Sequence, residues 1–155
     1  MKIIKANTSH KAEILRLLDD FRTDCAYQIN PKKASLSHTA KDFGGKIFDE
    51  VISSDNSAIF LGIEDGKFIA IATVHKIPQI RKGEYSAEIE EIFVADEFQG
   101  KGLGIFLIDA ITLWAKENDI KTIRLESDNH LKNAHKFYFK AGFEEYGKAF
   151  IKIKI

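Results

Sequence analysis

The spacing of apolar residues changes several times along this chain, and each change marks a new element. Residues 1–6 read as an edge strand, after which Thr8 or Ser9 caps a helix whose Ile14, Leu15, Leu17, Leu18 and Phe21 share one face. The pattern dissolves from Cys25 to Ser37, and Pro31 with the lysines after it marks a loop or an irregular helix end. Ser37 starts a second helix running to Ile52, with Phe43, Ile47, Phe48 and Val51 on its buried side. Gly44-Gly45 costs that helix about 1 kcal/mol per glycine relative to alanine, so its middle is either broken or mobile.

Apolar alternation then takes over. Residues 58–63 and 68–74 flank Glu64-Asp65-Gly66-Lys67, whose Asp-Gly is a strong hairpin signal. A turn over 78–83 leads to a strand over 87–94, which completes a three-strand meander. The helical period returns over 103–118, where Leu103, Leu107, Ala110, Ile111 and Trp114 share a face that Ile105, Ile108 and Leu113 widen. A strand over 121–127 follows and forms a βαβ unit with its predecessor, so those two strands should be parallel. A helix over 131–141 ends at Gly142, and strands over 143–146 and 149–155 close the chain. The order β-α-α-β-β-β-α-β-α-β-β predicts an α/β chain (an α+β mixed sheet) with helices on both faces. Residues 1–155 read as one domain, without linker, repeat or low-complexity tract.

Composition narrows the partners. The 155 residues are 45% hydrophobic and 30% charged, which is an ordinary globular balance. With 23 basic and 23 acidic residues the formal net charge is +0, so there is no global basic field of the kind that holds nucleic acid. No apolar run approaches the ~20 residues that span a bilayer, and the opening Met1-Lys2-Ile3-Ile4-Lys5 is too short and polar for a signal peptide. A cytoplasmic protein that binds neither nucleic acid nor membrane is the expectation. The single cysteine, Cys25, excludes an internal disulfide and has no nearby histidine, which makes it a structural thiol. His75 and His130 lack partners at metal-ligand spacing, so no metal site is expected, and His135 reads as a helix-surface residue.

The stretch that carries chemistry is Glu90-Glu91-Ile92-Phe93-Val94-Ala95-Asp96-Glu97-Phe98-Gln99-Gly100-Lys101-Gly102-Leu103-Gly104. A carboxylate-rich strand runs into alternating glycines that open onto a helix N-terminus, where unpaired amides and the helix dipole favour an anion. A phosphate loop of the Walker type is excluded because Gly102, not serine or threonine, follows Lys101. The dinucleotide pattern G-x-G-x-x-G fails as well, since Gly100-x-Gly102 leads to Ile105 and Gly102-x-Gly104 leads to Leu107.

What stands here is Gln99-x-x-Gly102-x-Gly104, and with it the chain resembles the GNAT superfamily of N-acetyltransferases. The likeness extends over the whole block from Glu90 to Gly104. It recurs in Ala134-His135-Lys136-Phe137-Tyr138-x-x-x-Gly142-Phe143, which is similar to the family's tyrosine-bearing helix. The resemblance implies a mostly antiparallel central sheet with a parallel, splayed fourth and fifth strand pair. It implies acetyl-CoA as cosubstrate and transfer of its acetyl group to a primary amine of a small molecule or peptide, directly within a ternary complex. In these terms the backbone from Gln99 through Gly100, Lys101, Gly102, Leu103 and Gly104 holds the pyrophosphate, while Ile92, Phe93 and Val94 bond the pantetheine arm like an added strand.

The resemblance also frames the catalytic candidates. An amine with a lysine-like pKa near ~10.4 is protonated at pH 7 and needs a proton acceptor before it attacks. Glu90 is the first choice and Glu91 the second, because a bulge in this strand exchanges their faces, whereas Glu88 reads as solvated. Tyr138 matches the family's general acid, which protonates the departing CoA thiolate. The family often carries Asn or Arg seven residues before that tyrosine, where Leu131 stands here. Asn129 or Asn133 is left to bond pantetheine instead. The rival to an enzyme is a non-catalytic acyl-CoA-binding or sensing module on the same fold, and a weaker third reading is a phosphate or nucleotide domain of another kind. The acceptor's identity is not encoded in any motif, and a homodimer is an expectation from the family alone.

Overall fold

A computed structural model of the chain describes residues 1–152. Its sheet has five strands in the order β1 (Lys2–Lys5), β2 (Ser57–Glu64), β3 (Lys67–Gln79), β4 (Glu84–Val94) and β5 (Thr122–Leu125). All neighbours are antiparallel except β4 and β5, which run parallel as a crossover through a helix requires. The helices are α1 (Lys11–Ile29), α2 (Thr39–Phe43), α3 (Gly45–Ile52), α4 (Gly104–Glu117) and α5 (Lys132–Lys140).

Two apolar layers cover the two faces. On one, Leu107, Ile108, Ile111 and Trp114 of α4 cover Ala70, Ala72, Val74, Ala87 and Ile89. On the other, Ile14, Leu15 and Leu17 of α1 and Phe48 of α3 cover Ile59, Leu61, Ile71 and Phe93. The small alanines of β3 and β4 lie under the large side chains of α4, so the helix sits close to the strands.

Several local expectations are corrected. Helix α1 does not stop near Cys25 but continues to Ile29, and Asp24 in these last turns meets Asp96 and Gln99 beyond the end of β4. The single tight turn over Thr8–His10 that leads into it is capped by Asn7, and α1 itself starts at Lys11 with no side-chain cap, so neither Thr8 nor Ser9 caps it. The Asn7 carboxamide accepts from the Ser9 amide at 2.9 Å, and the Asn7 amide donates to His10 Nδ1 at 3.0 Å. The second predicted helix breaks at Gly44, where a Cβ would lie 2.6 Å from the Ala40 carbonyl oxygen. Phe43 and Ile47, expected to be buried, are 78% and 59% exposed, and Leu113 of α4 is 58% exposed. The strands expected over 143–146 and 149–155 are not formed through residue 152, and residues 153–155 lie outside the described residues. Tyr146 and Phe150 are left almost fully exposed. Strand β5 is accordingly the edge of the described sheet.

One buried acid ties the α1–α2 connection down. Asp19, 7% exposed, accepts from the Ser37 hydroxyl at 3.0 Å and from the amides of Ala40 and Lys41 at 2.9 and 3.0 Å. Thr23, one turn further along α1, accepts the Ser37 amide at 2.9 Å. Asp19 is thus the anion at the N-terminus of α2, supplied from another helix. Burial opposes its ionisation, but the two amides and the hydroxyl outweigh that penalty and hold its carboxyl below the ordinary 3.8. Asp19→Ala should therefore destabilise the fold by about 3 kcal/mol at pH 7, measured by urea unfolding. Because the folded-state value is depressed, this contribution is complete above pH 3.8. The difference between wild type and variant should shrink as pH falls through the folded-state value.

Candidate active site

The site begins where two strands part. β4 and β5 are paired from Ser86↔Thr122 to Ile89↔Leu125 and no further, although β4 continues for five more residues to Val94. On its other side β4 stays paired with β3 to Ala70↔Val94. Among the described residues, 90–94 therefore offer one free edge, the geometry in which an extended ligand adds as a strand.

A bulge falls at the same point. Thr73 faces Glu91 and Val74 faces Ile89, so Glu90 is the extra residue. The phase of burial shifts with it. Ala87 and Ile89 join the α4 layer, and so do Ile92 and Val94, while Phe93 joins the α1 layer. The faces of Glu90 and Glu91 are settled by this shift. Glu90 is exposed, whereas Glu91 is half-buried on the α1 face with Thr73.

The Glu91 carboxylate accepts from the Thr73 hydroxyl, and the Glu91 amide donates to the same Thr73 Oγ1 at 3.1 Å. Burial, and next the charge of Glu90, raise the Glu91 carboxyl from 4.5 to about 7. It is a carboxylate tuned to take up a proton near neutrality. Glu88 does not stand free on the strand face but pairs with Arg124 across the parallel strands, just before they part.

Past Val94, a single helical turn over Asp96–Phe98 leads into the glycines. Gly100 and Gly102 adopt φ of +73° and +75°, with open space where a side chain would begin, so what they supply is a turn of the backbone that other residues resist. The amides of residues 100–104 have no backbone acceptor among the described residues, so this concave turn and the start of α4 present free donors. Phosphate suits that donor set. Lys101 is exposed beside it, its Nζ 5.1 Å from the centre of the Phe98 ring.

Gly104 has another job. A Cβ there would lie 2.9 Å from Cζ of Phe137, so its absence lets α5 lie against the start of α4. Gln99, exposed, folds back along the chain: its Nε2 donates to the Val94 carbonyl at 2.9 Å and to Asp96 Oδ1 at 3.0 Å, which closes the end of the strand. The Asp24 carboxyl of α1 meets this corner, pushed up by burial and by Asp96 while Gln28 and Gln99 hold it down.

Helix α5 brings Tyr138 towards α1. Its ring packs with Phe137 and Phe143 at 5.5 and 6.0 Å between centres. Burial, and next the nearby Cys25, push its hydroxyl from 10.0 up to about 12. The Cys25 thiol is raised in turn from 9.0 to about 11 by burial, Asp24 and Asp128, so it stays a thiol at neutral pH. Asn129 and Asn133 are both exposed, and neither makes a side-chain hydrogen bond among the described residues. His75 Nδ1 meets the Ser57 hydroxyl at 2.9 Å. Among the described residues no three His, Cys, Asp or Glu side chains cluster as metal ligands, and no helix is long and apolar enough to cross a membrane.

Thr73 and Arg124 were invisible in the sequence as parts of this site. A threonine in a β-branched run reads as a strand former, and nothing in one sequence reports a cross-strand hydrogen bond.

Residues 15–143 match the model of the acetyltransferase (GNAT) family. An uncharacterized N-acetyltransferase of Methanocaldococcus jannaschii is 33% identical over 100 residues, covering 63% of this chain and 44% of that protein, so the match spans under half of the relative's length. An uncharacterized N-acetyltransferase of Bacillus subtilis is 24% identical over 147 residues, 94% of this chain and 91% of the relative. A Bacillus halodurans protein, solved as a tetramutant, superposes with a TM-score of 0.79 at 17% identity over the full length of both chains, a likeness of fold.

The two glycines that differ in surroundings should differ in how they fail. Gly104→Ala should cost about 1–3 kcal/mol through overpacking against Phe137, and Phe137→Leu made in the same chain should recover part of it. Gly102→Ala should cost about 1–2 kcal/mol through backbone strain, with no recovery from Phe137→Leu. Urea unfolding of the single and double variants measures both.

Proposed function

The chain belongs to the GNAT acetyltransferase family, and from that premise we propose that it transfers the acetyl group of acetyl-CoA to a primary amine of a small molecule or peptide, with Glu91 as proton acceptor and Tyr138 as hydrogen-bond donor to the departing sulfur. The observation that carries the reading is the free β4 edge over residues 90–94, leading directly into the unpaired amides of residues 100–104. Such an edge suits the extended, amide-bearing pantetheine arm, and such a turn suits the pyrophosphate at its far end. Exposed Lys101 adds positive charge there.

The order of the two glutamates is reversed relative to the sequence expectation. A base must be ionisable near the working pH and held in place, and Glu91 meets both conditions through its raised carboxyl and its bond to Thr73. At pH 7 only about one molecule in 2,500 of an amine with pKa ~10.4 is neutral. A carboxylate at about 7 narrows the gap to that ammonium by roughly 3 kcal/mol relative to one at 4.5.

Tyr138 takes a smaller part than the resemblance implies. A phenol at about 12 gives up its proton to a thiolate near ~8.5 only uphill, by roughly 5 kcal/mol, with cysteine standing in for CoA. In this mechanism it keeps its proton and donates a hydrogen bond to the sulfur as negative charge collects there. The ammonium gives its first proton to Glu91 and the neutral amine attacks; the acetyl carbon passes from sulfur to nitrogen, the second nitrogen proton goes to solvent water, and CoA leaves as the thiolate. The homodimer, drawn from the family, and the cytoplasmic setting, drawn from composition and hydropathy, remain proposals.

Purified protein supplied with acetyl-CoA and a panel of primary amines should release CoA thiol with at least one of them. Binding of acetyl-CoA by calorimetry without turnover on any amine would instead support the acyl-CoA-sensing module. For an accepted amine, kcat/KM should rise with pH through an acid limb near 7 and show no fall below pH 10 attributable to Tyr138. Glu91→Gln should abolish that limb and lower kcat by about 10²–10⁴-fold, whereas Tyr138→Phe should lower it only about 10- to 100-fold. Equal losses in Glu90→Gln and Glu91→Gln would defeat the assignment.

A further inference from the structure

We propose that Thr73 is a positioning residue for Glu91, its hydroxyl holding both the amide that the bulge displaces and the carboxylate that takes the proton; this rests on reading Glu91 as the proton acceptor. Thr73 is 4% exposed, on the strand segment Ile69-Ala70-Ile71-Ala72-Thr73-Val74 whose other members are all apolar. A hydroxyl there has one proton to give and lone pairs to accept with. Both uses go to a single residue, the Glu91 amide donating to Oγ1 at 3.1 Å and Oγ1 donating to the Glu91 carboxylate.

Two consequences follow from this geometry. The bulge at Glu90 disturbs the ladder between β3 and β4, and the Thr73 hydroxyl gives the Glu91 amide an acceptor at that point. The same oxygen closes a ring through the Glu91 side chain, which restricts the torsions of an otherwise flexible acid. One hydroxyl thus links the backbone irregularity that opens the sheet to the orientation of the base.

Donation from the Thr73 hydroxyl stabilises the ionised form of the carboxylate it meets, so losing that donor favours the protonated form. The other titratable groups at this end are Asp24 and Cys25 on α1, Asp96 after β4, Asp128 after β5 and Tyr138 on α5. Burial and next Glu90 raise the Glu91 carboxyl, and Thr73→Val leaves the charge of Glu90 and of these other groups in place. A change in Glu91 ionisation on altering Thr73 is therefore attributable to the lost bond.

The test is Thr73→Val, which keeps the shape and removes the hydroxyl, beside Thr73→Ser, which restores the hydroxyl. In the full chain, a ¹³C-carboxyl NMR titration of Glu91 without ligand should give a higher pKa in Thr73→Val than in wild type, and an intermediate or wild-type value in Thr73→Ser. With an accepted amine, Thr73→Val should shift the acid limb of kcat/KM upward and lower kcat at pH 7 about 10-fold, with KM for acetyl-CoA within about twofold. Thr73→Ser should recover most of kcat. A folded Thr73→Val with an unmoved titration and unchanged kcat overturns the inference, as does a Thr73→Ser as impaired as the valine variant. If Thr73→Val does not fold, Thr73→Ala takes its place under the same criteria. Full activity in Glu91→Gln would instead retire the base assignment, while the NMR titration would still report on the Thr73–Glu91 bond.

Discussion

The constraint on which the rest depends is the ending of the β4–β5 ladder at Ile89↔Leu125 while β4 runs on to Val94. A strand carrying unpaired amides and carbonyls along one side is ordinarily a liability for aggregation. Here its other side is anchored by the longest pairing in the molecule, from Gln79↔Glu84 to Ala70↔Val94. The open edge is thus held rigid without being satisfied. A site needs that combination, since donors and acceptors in fixed positions bind without first being ordered.

The bulge resolves a conflict between covering two faces and presenting a charge. Strict alternation from Ala87 and Ile89 would put Glu91 and Phe93 together on the α4 face, leaving Ile92 on the other. One inserted residue moves Phe93 against Phe21 of α1, their ring centres 5.7 Å apart, and sends Ile92 and Val94 into the α4 layer. The exposed Glu90 is the residue so inserted, and Glu91 arrives half-buried beside Thr73. Both apolar layers are completed by the same irregularity that orients the acid. Gly104 plays the matching part beyond the glycine turn, where its missing side chain admits Phe137 and brings the helix of Tyr138 close.

Much of this was legible in the order of residues. Asp65-Gly66 marked the hairpin, the period over α4 marked the covering helix, and the glycines marked the turn, because each depends on local backbone preference or on burial of one face. Gly44 ends one helix and begins the next through a close approach to Ala40, as the paired glycines warned. What was not legible is non-local. The extension of α1 to Ile29 is accompanied by contacts to Ser37 and to the corner at Asp96, not by a repeating apolar face. The alternation over 149–152 reads as a strand, yet the described chain has no partner for it at the edge of β5. Glu90 and Glu91 could not be ordered without the register of a neighbouring strand, since a one-residue insertion reverses every face beyond it.

Burial of the site acts on its acids in one direction, and this decides how the proposed chemistry is shared out. Desolvation disfavours every anion, so it raises Glu91 to about 7, Cys25 to about 11 and Tyr138 to about 12 together. For a proton acceptor the shift is a gain, while for a proton donor it is a loss. The same asymmetry exists in the reactants. An amine near ~10.4 cannot attack until it is deprotonated, but a thiolate near ~8.5 can depart without a proton. A dry slot therefore strengthens the step that needs help and weakens the step that needs little. In the proposed reaction a hydrogen bond from Tyr138 then suffices for the departing sulfur, and the demand for accuracy falls on the single carboxylate that Thr73 holds.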